Sequence, residues 1–223
     1  MSNPWIEYLK TLDTPTLSNA IELLDLRPRH EGFTSLNIHC QFPELGRMVG
    51  YAVTAHVETM TQLEPANPDQ FIELYQAVAD SPKPAVVAFQ EVGGRGDFAA
   101  HSGEVMATIF TRLGAIGLVS DCGVRDIPEV RALGFQYFSR GRVASHANFR
   151  IVRVGVPIQI DSMVIRPGDI LHGDENGLLQ VPRGIEETLA AKVEAVRVRE
   201  RKLMDYVRSD EFQLPNLRGK MVE

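Results

Sequence analysis

The sequence predicts an α/β fold with a parallel middle section, an antiparallel β section after it and a closing helix. Three observations lead there. Short apolar runs alternate with helix-patterned segments through the middle third. Turn signals such as Pro-Gly-Asp and Asn-Gly punctuate short strand-like runs after about residue 136. A long amphipathic segment then ends the chain.

Thr14 and Pro15, followed by Leu17, Ile21 and Leu24, read as a capping residue, a first-turn proline and an apolar stripe. They place a helix within an N-terminal helical segment over residues 1–30. "MVGYAVTAHVET" (Met48–Thr59) alternates and is rich in β-branched residues, so it reads as a strand. "PDQFIELYQAVAD" sets Phe71, Leu74, Tyr75 and Val78 at helical spacing, and "PAVVAFQ" follows as a short buried strand. "EVGGRGDFAAHS" is a Gly-rich loop, expected to lie over a site, although "GGRGD" lacks the Gly-Lys-Ser/Thr ending of a phosphate loop. Ser102 reads as the N-cap of a helix running to about Leu113, with Val105, Ile109 and Leu113 as its inner stripe.

"AIGLVS" is another buried strand, and "IPEVRALG" a short helix closed by Gly134. This strand–helix alternation predicts parallel pairing through helical crossovers. "RIVRVGVPIQI", "MVIRPGDILHGD" and "NGLLQVP" read as antiparallel strands, with Asp174–Gly177 a hairpin turn rather than a calcium loop. The last helix, Gly184 to about Val207, turns Ile185, Leu189, Val193, Val196 and Leu203 inward against a charged outer face. No linker is evident, which predicts one domain over residues 1–223, with its core at 45–182 and the closing helix at 184–207.

Composition narrows the function classes. A chain of 223 residues, 44% hydrophobic and 23% charged, can bury a sizeable core. A net charge of −6 argues against nucleic-acid binding, which normally shows a basic stripe. No apolar run is long enough to span a bilayer, and "MSNPWIEYLK" does not read as a signal peptide. The two cysteines, Cys40 and Cys122, form no CxxC pair, which predicts neither a disulfide framework nor structural zinc and points to a cytoplasmic location. Cys122 reads as a packed residue, and the 6 histidines show no zinc-site spacing.

The stretch "SDCGVRDIPEV" (Ser120–Val130) carries the sharpest local question. Asp126 and Glu129 have capping-box spacing, which suits a helix start and nothing more. Pro128 pushes the residue before it out of the helical region, making Ile127 the expected cap, Pro128 the first helical residue and Asp126 free for other work. Asp126 then stands beyond the end of "AIGLVS", where ligand sites of parallel α/β sheets gather. Upstream, "HSGEVM" opens a helix whose unpaired amides suit an anion, and Arg125 offers a fork for a carboxylate. A hard divalent cation would suit Asp126.

"GEVMATIFTRLGAIGLVSDCGVRDIPEV" resembles the signature of the RraA-like / 4-hydroxy-4-methyl-2-oxoglutarate aldolase family: an acid (Glu104), twenty residues, then Arg125-Asp126 and an acid three places later, Glu129. "IRPGDILHGDENGLLQVP" resembles the family's later strand pair, and "TLSNAIELL" its opening helix, so the resemblance covers most of Thr14 to Pro182. It implies a β/β/α swivelling-domain fold, assembled as homotrimers or hexamers. The activity implied is that of a class II, metal-dependent lyase releasing pyruvate from 4-hydroxy-2-oxo acids, with oxaloacetate decarboxylation as a side reaction. By the same resemblance Asp126 is the Mg2+ or Mn2+ ligand, Arg125 contacts the oxo-acid oxygens, and Gly103, Glu104, Val105 and Met106 hold the pyruvyl carboxylate through their amides. Glu104 joins Arg125 and Asp126 as a catalytic residue. The chain departs from the pattern at His101 and around His146, and Glu194 and Glu200 are the candidates for the acid that supports the base. Two other readings fit the same resemblance: a non-catalytic regulator that binds ribonuclease E, and a same-fold enzyme acting on another oxo acid or a sugar acid.

Overall fold

The apolar run Met48–Glu58 forms the longest strand, and the sheet is ordered around it. The computed structural model describes residues 3–62 and 64–222. Its helices are α1 (Pro4–Lys10), α2 (Thr14–Glu22), α3 (Pro68–Asp80), α4 (Glu104–Arg112), α5 (Ile127–Ala132), α6 (Glu186–Arg208) and α7 (Leu217–Val222). The first six strands are β1 (His39–Cys40), β2 (Met48–Glu58), β3 (Ala85–Glu91), β4 (Ala115–Ser120), β5 (Gly123–Val124) and β6 (Gln136–Ser139). Six more follow: β7 (Gly141–Arg142), β8 (Arg150–Val154), β9 (Ile158–Ile160), β10 (Met163–Ile165), β11 (Ile170–Asp174) and β12 (Gly177–Val181).

The chain divides into two compact units, Met1–Thr14 with His30–Pro182, and Pro15–Arg29 with Arg183–Glu223. In the first unit, β2, β3, β4 and β6 pair in parallel, and α3, α4 and α5 form the crossovers between them. That is the arrangement expected when adjacent strands run the same way and need a long return path. The later strands are antiparallel as predicted, but they do not form a separate section. β11 adds to β2 along Met48–Tyr51 and β8 along Ala55–Glu58, so one 8-stranded sheet holds both halves of the pattern. The length of β2 explains this, since its two ends offer edges to two different partners. β9–β10 forms a hairpin of its own, and β5–β7 a short parallel pair.

Alternate residues of β3 feed two cores. Val87 and Phe89 join the core formed with α3 and α4, whereas Val86 and Ala88 join the one containing Met48, Ile160, Met163 and Leu171. Burial on both faces is why β2 and β3 read as nearly unbroken apolar runs rather than alternating ones. On α4 the inner stripe is one position off the expected one. Val105 is 73% exposed, while Ala107 and Phe110 are buried and Met106 and Leu113 pack on the core. The large apolar area of Phe110 decides which face turns inward.

The second unit contains α6 and α7 together with α2 from Pro15 onward. Ile185, Leu189, Val193 and Val196 are buried as expected, and Asn19 donates to Glu200 Oε1 at 3.1 Å. Of the two acids proposed as base support, Glu200 is therefore already engaged within this unit.

Phe110 meets Tyr75 and Phe89 edge-on at 5.8 and 6.3 Å and stacks on Phe135 at 6.3 Å. Phe110→Ala is expected to lower the free energy of unfolding by about 3–5 kcal/mol, read from urea denaturation.

Candidate active site

The carboxyl ends of β3 and β4 open onto two loops, residues 92–103 and 121–126, and these meet. His101 N–H donates to Gly123 O at 2.9 Å and Arg125 N–H to Ser102 O at 3.1 Å, so the two loops run side by side as a short ladder. Helix α4 then begins at Glu104 with Gly103, not Ser102, at its cap. The Ser102 hydroxyl is instead engaged by the Tyr137 hydroxyl, which donates to it at 3.0 Å. With Gly103 extended and unable to cap, the Glu104 N–H finds its acceptor 22 residues away, on Asp126 Oδ2 at 2.8 Å. A Cβ on Gly103 would collide with that carboxylate and sit 3.0 Å from Arg125 Nε, so the approach requires glycine at this place.

Asp126 itself has left-handed backbone geometry, φ 56° and ψ 47°, one step before α5. The helix thus starts at Ile127, one residue earlier than expected, with Asp126 rather than Ile127 in the cap position. The reversal at Asp126 makes the turn, and Pro128 in the first turn sacrifices no hydrogen bond because those amides are unpaired anyway. Aspartate tolerates this backbone region better than most residues. Its side chain makes no capping bond to its own helix. The expectation that Asp126 is released for other work therefore holds, by a different geometry.

Around this bond lies a cavity of about 250 Å³. Gly103, Val105, Met106, Arg125 and Asp126 line one side of it, so five of the six residues anticipated from the sequence stand together. Glu104 gives its backbone N–H to Asp126, but its side chain is exposed and is not part of the wall. Among the described residues the N–H groups of Gly103, Val105 and Met106 have no acceptor. Arg125 Nε lies 3.7 Å from Asp126 Oδ2, both side chains being half-exposed, and its guanidinium reaches 3.5 Å from the Ala144 carbonyl.

His101 and His146 also line the cavity, but they are equipped differently. His101 is fully buried, with Nε2 3.2 Å from Glu91 Oε2 and Nδ1 2.9 Å from Ser120 Oγ. The contact resembles an ion pair, but burial holds the imidazole below its usual range. It is therefore a neutral ring donating to Glu91 and accepting from Ser120. Glu91 also accepts from Thr59 Oγ1 at 2.9 Å and from Gly93 N–H at 2.7 Å. Burial opposes its ionisation, yet the hydrogen bonds from His101, Gly93 and Thr59 prevail and hold it below the usual carboxylate range.

Phe71 and Phe149 also line the cavity, and Glu91 stands behind it through His101. The sequence singles out none of them: Glu91 reads as the start of the Gly-rich loop, Phe71 as part of a helix's apolar spacing, and Phe149 as one residue of the stretch around His146.

Glu91, His101 and Cys122 bring three potential metal-ligand atoms within 4.8 Å of one another. Burial pushes the Cys122 thiol up, in keeping with a packed residue rather than a nucleophile. The "GGRGD" loop does not cover the Arg125–Asp126 cavity as expected. Gly94 and Gly96 instead border a second cavity of about 370 Å³, with Glu91, Asp121 and Arg140. The pairing of Asp97 with Arg140 at 3.0 Å draws the loop to that side.

Asp121 accepts from the Glu91 N–H at 2.9 Å, and burial pushes its carboxyl up from 3.8 to about 7. The stability it contributes is present below its unfolded value of 3.8 and is lost as the pH rises through about 7, because the folded state must then ionise a buried group. Asp121→Asn keeps the acceptor oxygen and removes that loss. Its melting temperature relative to wild type is expected to rise between about pH 4 and about pH 8. Calorimetry at both pH values checks this, and a constant difference would contradict the assignment.

Comparison with known proteins follows the same fold. A protein of Halalkalibacterium halodurans, provisionally named 4-hydroxy-4-methyl-2-oxoglutarate aldolase, is 29% identical over 210 residues, covering 91% of this chain and 90% of the relative. A solved structure of an uncharacterized protein from Pseudomonas syringae pv. tomato superposes with a TM-score of 0.74 at 24% identity, covering 98% of this chain and 94% of the other. RraAS2 of Streptomyces coelicolor, described as an unusual member of the RNase ES inhibitor RraA protein family, superposes with a TM-score of 0.66 at 19% identity, covering 94% and 98%. The family model for Aldolase/RraA matches residues 14–179, well over half of the chain, and this chain belongs to the RraA-like family.

Proposed function

We propose that this protein is a divalent-metal-dependent lyase that cleaves 4-hydroxy-2-oxo acids to pyruvate, with oxaloacetate decarboxylation as a second activity. The observation that carries the reading is the pairing of a half-exposed carboxylate, Asp126, with unpaired amides and an arginine around one cavity. Asp126 fits a hard cation. One oxygen is fixed by Glu104 N–H, and the other has no partner among the described residues. Mg2+ or Mn2+ needs only one or two carboxylates, with water and substrate oxygens filling its other positions. When bound, such an ion supplies Lewis-acid polarisation of the substrate's C2 oxygen.

The chain's own residues do the rest. The N–H groups of Gly103, Val105 and Met106 hold the C1 carboxylate at the start of α4, where the helix dipole favours an anion. Arg125 adds fixed positive charge beside the C2 oxygen, where negative charge grows as the reaction proceeds. The C4 hydroxyl loses its proton to a base, C4 becomes a carbonyl carbon, and the C3–C4 bond breaks. Its electron pair passes into the pyruvyl unit as an enolate, and protonation at C3 gives pyruvate. Loss of CO2 from oxaloacetate leaves the same enolate, which is why the two activities belong together.

The name of the Halalkalibacterium relative supports this reading. The family assignment of the Streptomyces neighbour points to a protein-binding regulator instead, but that role needs no open amide rim beside an arginine and a free carboxylate oxygen. Self-association as a homotrimer or hexamer and a cytoplasmic location belong to the same proposal. No described helix is long and apolar enough to cross a membrane.

The deciding assay measures pyruvate release from 4-hydroxy-4-methyl-2-oxoglutarate, 4-hydroxy-4-methyl-2-oxopentanoate and oxaloacetate, with Mg2+ and then with chelator. Metal-dependent turnover of at least one is expected, and turnover of none overturns the lyase reading. Asp126→Asn keeps an acceptor for Glu104 N–H but loses the charge, so it is expected to stay near wild-type stability while activity falls about 100-fold or more. Asp126→Ala is expected to lose activity equally and about 1 kcal/mol of stability as well, because α4 loses its cap. Thermal melts beside rate measurements separate the two effects.

A further inference from the structure

We propose, resting on the lyase reading, that the substrate is a monocarboxylate: a 4-hydroxy-2-oxo acid whose C4 substituent is uncharged and apolar. The cavity has two unlike halves. The rim of amides, Arg125 and Asp126 accounts for the C1 carboxylate and the C2 oxygen. The rest of the lining is largely apolar: Phe71 of α3, Phe149 beside β8, Ala100, and Val105 and Met106 of α4, whose side chains are apolar although their amides belong to the rim. The rings of Phe71 and Phe149 lie 6.0 Å apart and tilted at 57°, a packed aromatic surface rather than a polar one.

A second carboxylate at C4 would have to leave water and lie against those rings. Among the described residues lining the cavity, Arg125 is the only arginine or lysine, and the reading already commits it to the pyruvyl end. Burying an anion without a cation or donors is costly, whereas a methyl, alkyl or phenyl group gains by the same burial.

The two histidines of the lining are placed for other partners. Both ring nitrogens of His101 are engaged by Glu91 and Ser120. His146 Nδ1 lies 2.7 Å from the Ala147 carbonyl, so in the neutral ring the proton sits there and Nε2 is an acceptor. An acceptor suits the C4 hydroxyl, which is a donor, and repels a carboxylate. The geometry thus suits a hydroxyl and one or two apolar groups at C4, and the carbonyl product released is an uncharged aldehyde or ketone.

Two uncleavable 2-oxo acids of similar size test this by calorimetry in the presence of Mg2+: 2-oxo-4-methylpentanoate, with an apolar end, and 2-oxoglutarate, with a carboxylate there. The apolar acid is expected to bind at least ten-fold more tightly. In turnover, 4-hydroxy-4-methyl-2-oxopentanoate is expected to exceed 4-hydroxy-4-methyl-2-oxoglutarate in kcat/KM. Equal or tighter binding of 2-oxoglutarate overturns the proposal while leaving the lyase reading intact. Binding of neither acid, with no pyruvate from any substrate, overturns both. Val105→Arg sets a cation at the rim of the apolar wall and is expected to shift the binding ratio at least ten-fold toward 2-oxoglutarate. An unchanged ratio in that variant overturns the assignment of this wall to the C4 group.

Discussion

The hydrogen bond from Glu104 N–H to the Asp126 carboxylate is the constraint on which the rest of the site depends. It ties the first amide of α4 to the residue before α5, and these helices leave neighbouring parallel strands. A helix start usually draws its cap from the residue just before it. Here that residue is glycine, and the space a side chain would fill holds the carboxylate instead. One bond therefore does two things. It fixes where α4 begins, and so where the open amides of Val105 and Met106 point. It also holds a negative charge beside those amides while leaving its other oxygen toward the cavity.

Behind that rim, a buried polar network keeps the two loops in place. Glu91 at the end of β3 takes hydrogen bonds from Thr59, Gly93 and His101, and His101 passes the connection to Ser120 at the end of β4. Cys122 N–H closes the chain on Ser120 Oγ at 2.9 Å. No buried side-chain polar atom among the described residues is left without a partner. A fully satisfied network in a low-dielectric interior is rigid, because breaking any one member strands the others. The chain of contacts runs on to the surface: His101 precedes Ser102, and the Ser102 carbonyl holds the Arg125 N–H.

Much of this was legible in the sequence, and the parts that were not share a cause. The parallel strands, the helical crossovers and the hairpin at Asp174–Gly177 followed from period and turn chemistry, which are local. Arg125-Asp126 and Gly103–Met106 are singled out by a spacing that survives as a pattern along the chain, and all but Glu104 line one cavity. The caps were misplaced by one residue, at Ser102 and at Ile127, because the true acceptor of the Glu104 N–H is remote and the turn at Asp126 depends on its backbone φ. The apolar wall was invisible for the same reason. Phe71 and Phe149 are 78 positions apart, one on a helix's apolar face and the other in the stretch around His146, and the pairing of β8 with the end of β2 brings that region to α3. The "GGRGD" loop was misjudged because the pull of Arg140 on Asp97 acts from beyond β6.

The two halves of the cavity are built from different material, and that difference limits what a change of sequence can do. The rim is backbone: its donors are amides whose positions follow from the α4 start, and they are indifferent to side-chain identity except at Gly103, where any Cβ displaces Asp126. The apolar part of the lining is side chain. Val105 is 73% exposed, and its replacement touches neither the Glu104 bond nor the core beneath Phe110. On the proposed function, substitution at Val105 reshapes the group received at C4 while leaving the carboxylate rim and the Arg125–Asp126 pair in place. By contrast, a change at Gly103, His101 or Glu91 propagates through satisfied hydrogen bonds to Arg125 itself. On that proposal the chemistry is held by the parts least free to vary, and the choice of substrate by a part with considerable freedom.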